Sequence, residues 1–374
     1  MVNLGGIIQA GLGWADNFSR RFRMHFRLVV LATFSLFLLM TNSLSVSAQE
    51  VAAKIRIGII GLDTSHSIEF AKLINDINAK SPLAGCQVVC AYPHGSLDIE
   101  SSVSRIPEYT NQIQAMGIEI VASADELISK VDAVLLETND GRRHLEQVLP
   151  ILKAGKPVFV DKPMAASLAD VIAIFQAAEQ LGTPVFSSSS LRFVDPAQLA
   201  RQGKLVGNVF GCETYCPASL EPTHPDLYWY GIHGVEQLFT VMGPGCESVS
   251  RVSTAGTDVV VGVWSDGRMG TFRGTRTGPH HYGGTVFGAE GQKSSGGNEG
   301  YEALLGEVVS FFRSGKPPVD AAETIEIYAF MSAADESKNN SGMPVRLKDV
   351  VESARLEATS TLSSQGFAPH RAIK

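Results

Sequence analysis

Lys54-Ile-Arg-Ile-Gly-Ile-Ile60, running straight into Gly61-Leu-Asp63-Thr-Ser-His66, is the stretch on which the fold turns. Its first seven residues are a β-branched run. They break at a glycine-containing turn, and a helical stretch from about 66 to 80 follows. A strand that opens through a short turn into a helix is the first half of a βαβ unit. Gly61 takes the first glycine place of a G-x-G-x-x-G pattern, in which glycines let backbone amides approach a pyrophosphate at a helix N-terminus. Asp63 stands at the second glycine place and His66 at the third. A carboxylate at position 63 repels a pyrophosphate unless it turns away, for example to cap the helix; Thr64 and Ser65 are alternative caps.

Outward from this turn the alternation repeats. Gln87–Tyr92 reads as a second strand and Ile118–Val121 as a third, followed by a short helix at 124–130. Val131–Glu137 is a fourth strand, then a helix reaches Ala154 with Pro150 inside it, expected to bend it. Pro157–Val160, helix 167–181 and strand Pro184–Ser187 continue the rhythm. Near-continuous apolar strands alternating with helices imply a parallel sheet buried on both faces. After Pro196 the character changes. Strands at 208–215, 247–253, 258–264, 268–274 and 283–288 are separated by Gly, Asp-Gly and Pro-Gly turns, and Asp266-Gly267 is a hairpin signal. Helices are expected near 231–242, 300–313 and 321–335. The fold class is therefore α/β, an N-terminal Rossmann-type parallel sheet plus a C-terminal α+β domain with a mostly antiparallel sheet. The expected divisions are a dinucleotide-binding domain at 54–163, a substrate and oligomerisation domain at 164–356, and a frayed polar tail at 357–374.

The first 48 residues read as a signal peptide rather than fold. Arg20, Arg21, Arg23 and Arg27 precede the apolar run Leu28–Met40, and small residues end at Ala48. That order, with a run short for a membrane span, predicts export to the periplasm with no stable span after signal removal. Ser19-Arg20-Arg21 hints at a twin-arginine signal, and a start at Met24 would omit both arginines, so the route stays open. The remaining 326 residues (374 − 48) suffice for two domains. A net charge of −7 gives no basic footprint and excludes nucleic acid as the expected partner. Five cysteines, at 86, 90, 212, 216 and 246, form no disulfide framework and no zinc-like spacing. Buried thiols are expected, with a single bridge left open.

The ribose-binding acid expected at the end of the second strand is missing. Tyr92-Pro-His94 stands there, and His94 either accommodates a 2′-phosphate or contacts nothing. Gly155-Lys-Pro-Val-Phe-Val-Asp161-Lys162-Pro163 resembles the Gly-Lys-x-Val…Glu-Lys-Pro junction of the glucose–fructose oxidoreductase, inositol dehydrogenase and rhizopine-catabolism (Gfo/Idh/MocA) family. Thr138-Asn139 with His144, Leu191-Arg192-Phe193 and Gly203-Lys-Leu-Val-Gly207 resemble further motifs of that family in the same order, across roughly residues 54–350.

The resemblance implies NAD or NADP as cofactor. It places Gly61, Leu62, Asp63, Thr64, Ser65, His66, Thr138, Asn139, His144, Asp161, Lys162 and Arg192 around it. Lys162 would lie beside the nicotinamide and the substrate hydroxyl, where an ammonium polarises a carbonyl or holds an alkoxide. Its plain alternative is an interdomain lysine ahead of a rigid proline. The family's Asp-x-Gly-x-His element appears as Trp229-Tyr230-Gly231-Ile232-His233, with Glu236 for the later acid and Trp229 in place of the Asp. His233 is the natural general base, and Tyr230 is a candidate for the vacant acid role. His233 and Glu236, three apart, share a helix face, and the plain alternative is a buried His satisfied by Glu236.

His224, Asp226, His280 and His281 either line a sugar pocket or, with His233, form a metal site; no metal is assigned. The leading reading is an NAD(P)-dependent oxidoreductase acting on the hydroxyl of a small-molecule carbohydrate, a sugar, cyclitol or polyol. The alternatives are an NAD-assisted glycosidase and a redox-silent carbohydrate-binding protein. For the open C-terminal sheet the resemblance implies a homo-oligomer.

Overall fold

The computed structural model describes residues 54–368, so the expected signal peptide lies outside the described residues. Strand β1 (Ile55–Ile60) pairs in parallel with β2 (Cys86–Tyr92) on one side and β4 (Ala133–Leu136) on the other. With β3 (Glu119–Ile120), β5 (Val158–Val160) and β6 (Val185–Phe186), the sheet order is β3-β2-β1-β4-β5-β6. That is the doubly wound order whose strand ends open a crevice beside β1 and β4.

Side chains of β1 alternate between two cores, as the pleat requires. Ile57 and Ile59 pack with Phe70 and Ile74 of α1 (Ser65–Ile74), while Ile60 joins the opposite core with Leu127 of α3 (Ala124–Lys130) and Val148 of α4 (His144–Lys153). Helix α5 (Leu168–Leu181) begins with Ser167 accepting from the Asp170 N–H and ends at Gly182 in a left-handed turn, which explains its sharp limits. The parallel sheet takes its last strand from β6, beyond the division expected at 163.

The chain then crosses through α6 (Asp195–Arg201) into a seven-stranded sheet. Its strands are β7 (Val209–Pro217), β8 (Cys246–Ser253), β9 (Thr257–Trp264), β10 (Met269–Thr275), β11 (Gly283–Gly288), β12 (Gly291–Ser294) and β13 (Val345–Arg346), in the order β12-β11-β7-β10-β9-β8-β13. All neighbours are antiparallel except β7 and β10. The expected Asp266-Gly267 hairpin joins β9 to β10, with Gly267 at positive φ.

Helix α7 (Ile232–Met242) is buried throughout against β7 and β10, so the sheet is covered on that side. The other side exposes Phe210, Val252 and Met269. Helix α8 (Glu302–Ser314), though late in sequence, returns to the first sheet, where Leu305, Val308 and Phe311 pack around Ile57 and Phe159. Helix α9 (Ala321–Asn339) packs on β8.

Three helices lie outside the sequence expectation, the short α6 among them. The segment α2 (Glu100–Ala115) buries only Ser102 and Ile113 and contains Pro107, so it carries almost no apolar period. Part of the expected frayed tail is corrected: α10 (Leu347–Ser364) takes in its residues 357–364 and buries Leu347, Val350, Ala354, Ala358 and Leu362. Those positions recur every three or four residues, a helical stripe hidden by small side chains. All five cysteines are buried free thiols. Among the described residues no helix is long and apolar enough to cross a membrane.

Candidate active site

The β1–α1 turn is pressed against the end of β4. Gly61 has φ +100°, and a Cβ there would stand 2.3 Å from the backbone nitrogen of Thr138, so only glycine fits. Leu62 follows with its side chain fully buried and its N–H donated to the carbonyl of His94 at 3.3 Å. Leu62 therefore braces the turn from the core. Thr64 caps α1, its hydroxyl accepting from the His66 N–H at 3.4 Å.

Asp63 turns away from the crevice, as the chemistry of the turn demands, but not to cap the helix. It is wholly buried; Oδ1 accepts from the Asn139 N–H at 3.0 Å and Oδ2 from the Ser102 hydroxyl at 2.7 Å. Burial outweighs these donors and pushes its carboxyl up to about 6. A raised folded-state value means that the native chain holds the proton more tightly than the unfolded one. Stability from this group is then complete below about pH 4 and is lost as pH rises through about 6. Asp63→Asn keeps the Asn139 contact through its amide oxygen. Its amide nitrogen donates to Ser102, whose own proton goes to the Ser96 carbonyl 3.0 Å away. The variant is expected to be about 2–3 kcal/mol more stable than the parent at pH 7.5 and about equal at pH 4, read by urea unfolding at both. An equal difference at the two pH values rejects the assignment.

Thr64, Ser65, His66 and Asn139 line a cavity of about 240 Å³ together with Lys162, Tyr230 and His233. Arg105 of α2 lies on the same wall and donates to the Asp63 carbonyl at 3.3 Å. The first turn of α1 carries no acidic residue of its own and is flanked by Arg105, an arrangement that suits an anionic phosphate. Lys162 comes from the end of β5, is nearly buried, and places Nζ 5.3 Å from the centre of the Tyr230 ring. His233, at the start of α7, has Nδ1 2.7 Å from the Ser189 hydroxyl. Its ring meets Tyr282 edge-on. Burial, and then the neighbouring charges of Lys162 and His66, hold its pKa well below the usual histidine value. His233 is therefore neutral near pH 7 and able to accept a proton.

The expected partnership of His233 with Glu236 is corrected: Ser189, which the sequence reading missed, holds His233. Glu236 faces inward, accepting from the Ser188 hydroxyl, the Ser189 N–H and the Arg192 guanidinium. Arg192 bonds Glu236 at 2.7 Å and Glu323 at 2.8 Å and is buried, so neither Arg192 nor Glu236 lines the cavity. His144, also fully buried, bridges the carbonyls of Thr138 (2.6 Å) and Met164 (3.1 Å) and fastens β4 to the chain after β5. Thr138 is likewise buried, touching Gly61 through its backbone.

Trp229, in the place of the family's Asp, lines the cavity and lies against His224. The alternative metal set is not assembled. His224 accepts from the Gly141 N–H at 3.0 Å and burial lowers it to about 4, while Asp226 pairs with Arg251 and Lys338. His66 places Nδ1 2.8 Å from Oδ2 of the buried Asp161 and packs between Phe70 and Tyr301. Glu137, also overlooked in the sequence, ends β4 beside this pair.

Residues 55–189 match the oxidoreductase family with an NAD-binding Rossmann fold, Gfo/Idh/MocA. An inositol 2-dehydrogenase of Cereibacter sphaeroides is 32% identical over 149 residues, 39% of this chain and 39% of the relative. An inositol 2-dehydrogenase 3 of Saccharopolyspora erythraea is 27% identical over 46% of this chain and 47% of its own. The matches thus span less than half the length of these curated relatives. Among solved structures, a probable dehydrogenase from Thermotoga maritima superposes with a TM-score of 0.65 at 20% identity, covering 79% of this chain and 100% of the other. Scyllo-inositol dehydrogenase from Lactobacillus casei, with bound NAD(H) and scyllo-inositol, gives 0.63 at 17% identity over 79% and 99%. These likenesses establish the shared fold, and the domain at residues 55–189 carries the match to the Gfo/Idh/MocA oxidoreductase family.

Proposed function

We propose that the protein is an NAD- or NADP-dependent oxidoreductase acting on a hydroxyl of a cyclitol, sugar or related polyol. One observation carries the reading: Lys162 from the parallel-sheet domain and His233 from the second domain line the same cavity as the N-terminus of α1. The turn fits a dinucleotide because Gly61 allows close backbone approach and Asp63 is withdrawn; Thr64, Ser65 and Arg105 would hold the phosphates, and Asn139 the adjoining portion. Bound there, the dinucleotide supplies a two-electron acceptor. The chain's own residues do the rest. The Lys162 ammonium stabilises negative charge on the reacting oxygen, and His233, held at Nδ1 by Ser189, takes the hydroxyl proton. Relatives named inositol dehydrogenases support the cyclitol class.

Denaturing the purified chain and measuring released dinucleotide by mass spectrometry, followed by calorimetric titration with NAD+ and NADP+, tests the proposal. Stoichiometric release, or binding of either dinucleotide, is expected. A chain that releases none and binds neither at millimolar concentration is not a dehydrogenase.

A further inference from the structure

Three side chains meet where β1, β4 and β5 end. His66 comes from the first turn of α1, Glu137 follows β4 and Asp161 follows β5; one donor atom from each lies within 4.8 Å of the other two. Their exposures are 8%, 0% and 1%. Neither carboxylate oxygen of Glu137 meets a hydrogen-bond donor, and neither does Oδ1 of Asp161. Buried polar atoms are almost always paired, and unpaired carboxylate oxygens in a buried cluster call for something positive there.

We propose that His66, Glu137 and Asp161 form a binding site for one divalent transition-metal ion. An imidazole nitrogen with two carboxylate oxygens is a donor set that Zn2+ and Mn2+ accept. Donors bound at these ions' usual distances stand roughly 3–4 Å apart, so the group needs to draw together by about 1 Å. His66 Nδ1 and Asp161 Oδ2, at 2.8 Å, are already that close. Lys162 is the one lysine whose charge acts on both carboxylates, and its ammonium lies over Tyr230. With the imidazole neutral, as a metal ligand must be, two carboxylates against one lysine leave a net negative charge for the ion. His66 lines the cavity and gives the ion its route in. The site adjoins the cavity assigned to the dinucleotide, and its donor set stands whether or not a dinucleotide binds there.

The test is calorimetric titration of EDTA-treated, dialysed protein with ZnCl2 and with MnCl2. One equivalent of at least one ion is expected to bind, with affinity falling at least about 100-fold in His66→Ala and in Glu137→Gln. Circular dichroism confirms that the variants are folded. If either variant fails to fold, Co2+ added to the unaltered protein decides the matter through its visible d–d spectrum. A spectrum differing from that of the hydrated ion supports the site, and the spectrum of the hydrated ion overturns it. Absence of binding, or equal binding by folded variants, also overturns it and leaves a proton as the neutralising charge on Glu137.

Discussion

A Lys162→Met chain is expected to bind NAD+ or NADP+ with little change and to lose polyol turnover by a factor on the order of 10²–10⁴. The size of the effect follows from placement. Lys162 lies over the Tyr230 ring and lines the cavity without a close ion pair, although its charge also acts on the buried Glu137 and Asp161. Methionine is similar in length and apolar, so it fills the nearly buried position without leaving a cavity or breaking a hydrogen bond. What disappears is the positive charge beside the reacting oxygen, and a group acting chiefly in the transition state lowers kcat more than it raises KM. Reduced-nicotinamide absorbance with a panel of cyclitols and aldoses measures both constants. A variant with unchanged kcat makes Lys162 the interdomain lysine of the plain alternative. His233→Ala is expected to fall with it, and the double variant to lose little more than either single change, since the two act on one oxygen and its proton.

How much of this was legible in the sequence follows the range of the interactions. Strand β1, its turn and α1 are written in local pattern, and so are five strands of the second sheet, whereas the short edge strands β12 and β13 are not. The placements of Thr64, Ser65, His66, Asn139 and Lys162 on one cavity follow motifs close to strand ends, and those of Tyr230 and His233 a motif at the start of α7. What escaped was decided by distant partners. Glu236 shares a helix face with His233 by spacing, yet Ser188, Ser189 and Arg192 claim its oxygens. The return of α8 to the first sheet has no local signal at all. Glu137 did leave one: an acid closing the apolar run Ala133–Leu136, every residue of which is buried, is out of place in a strand end that only packs. Helix capping was the sequence's example of how Asp63 turns away, and its actual partners, Ser102 and Asn139, lie 39 and 76 residues along the chain.

Arg192 carries the second large effect, and in the opposite quantity from Lys162. Arg192→Met is expected to destabilise the fold by roughly 3–5 kcal/mol, because removing one member of a buried ion cluster leaves its partners undercompensated. The lower end of that range is the better expectation. Glu323 retains Arg201 at 2.7 Å, and Glu236 retains the Ser188 hydroxyl and the Ser189 N–H. The damage then travels toward the site by a stated path. Arg192 fixes Glu236, Glu236 fixes the backbone of Ser189, and the Ser189 hydroxyl fixes His233. Turnover is therefore expected to fall modestly in conditions where the variant is fully folded, with dinucleotide affinity retained, because Arg192 does not line the cavity. Urea unfolding beside dinucleotide titration separates the two quantities. If affinity collapses while stability is unchanged, Arg192 holds the cofactor directly, as the family resemblance implied, and the buried cluster is not its role.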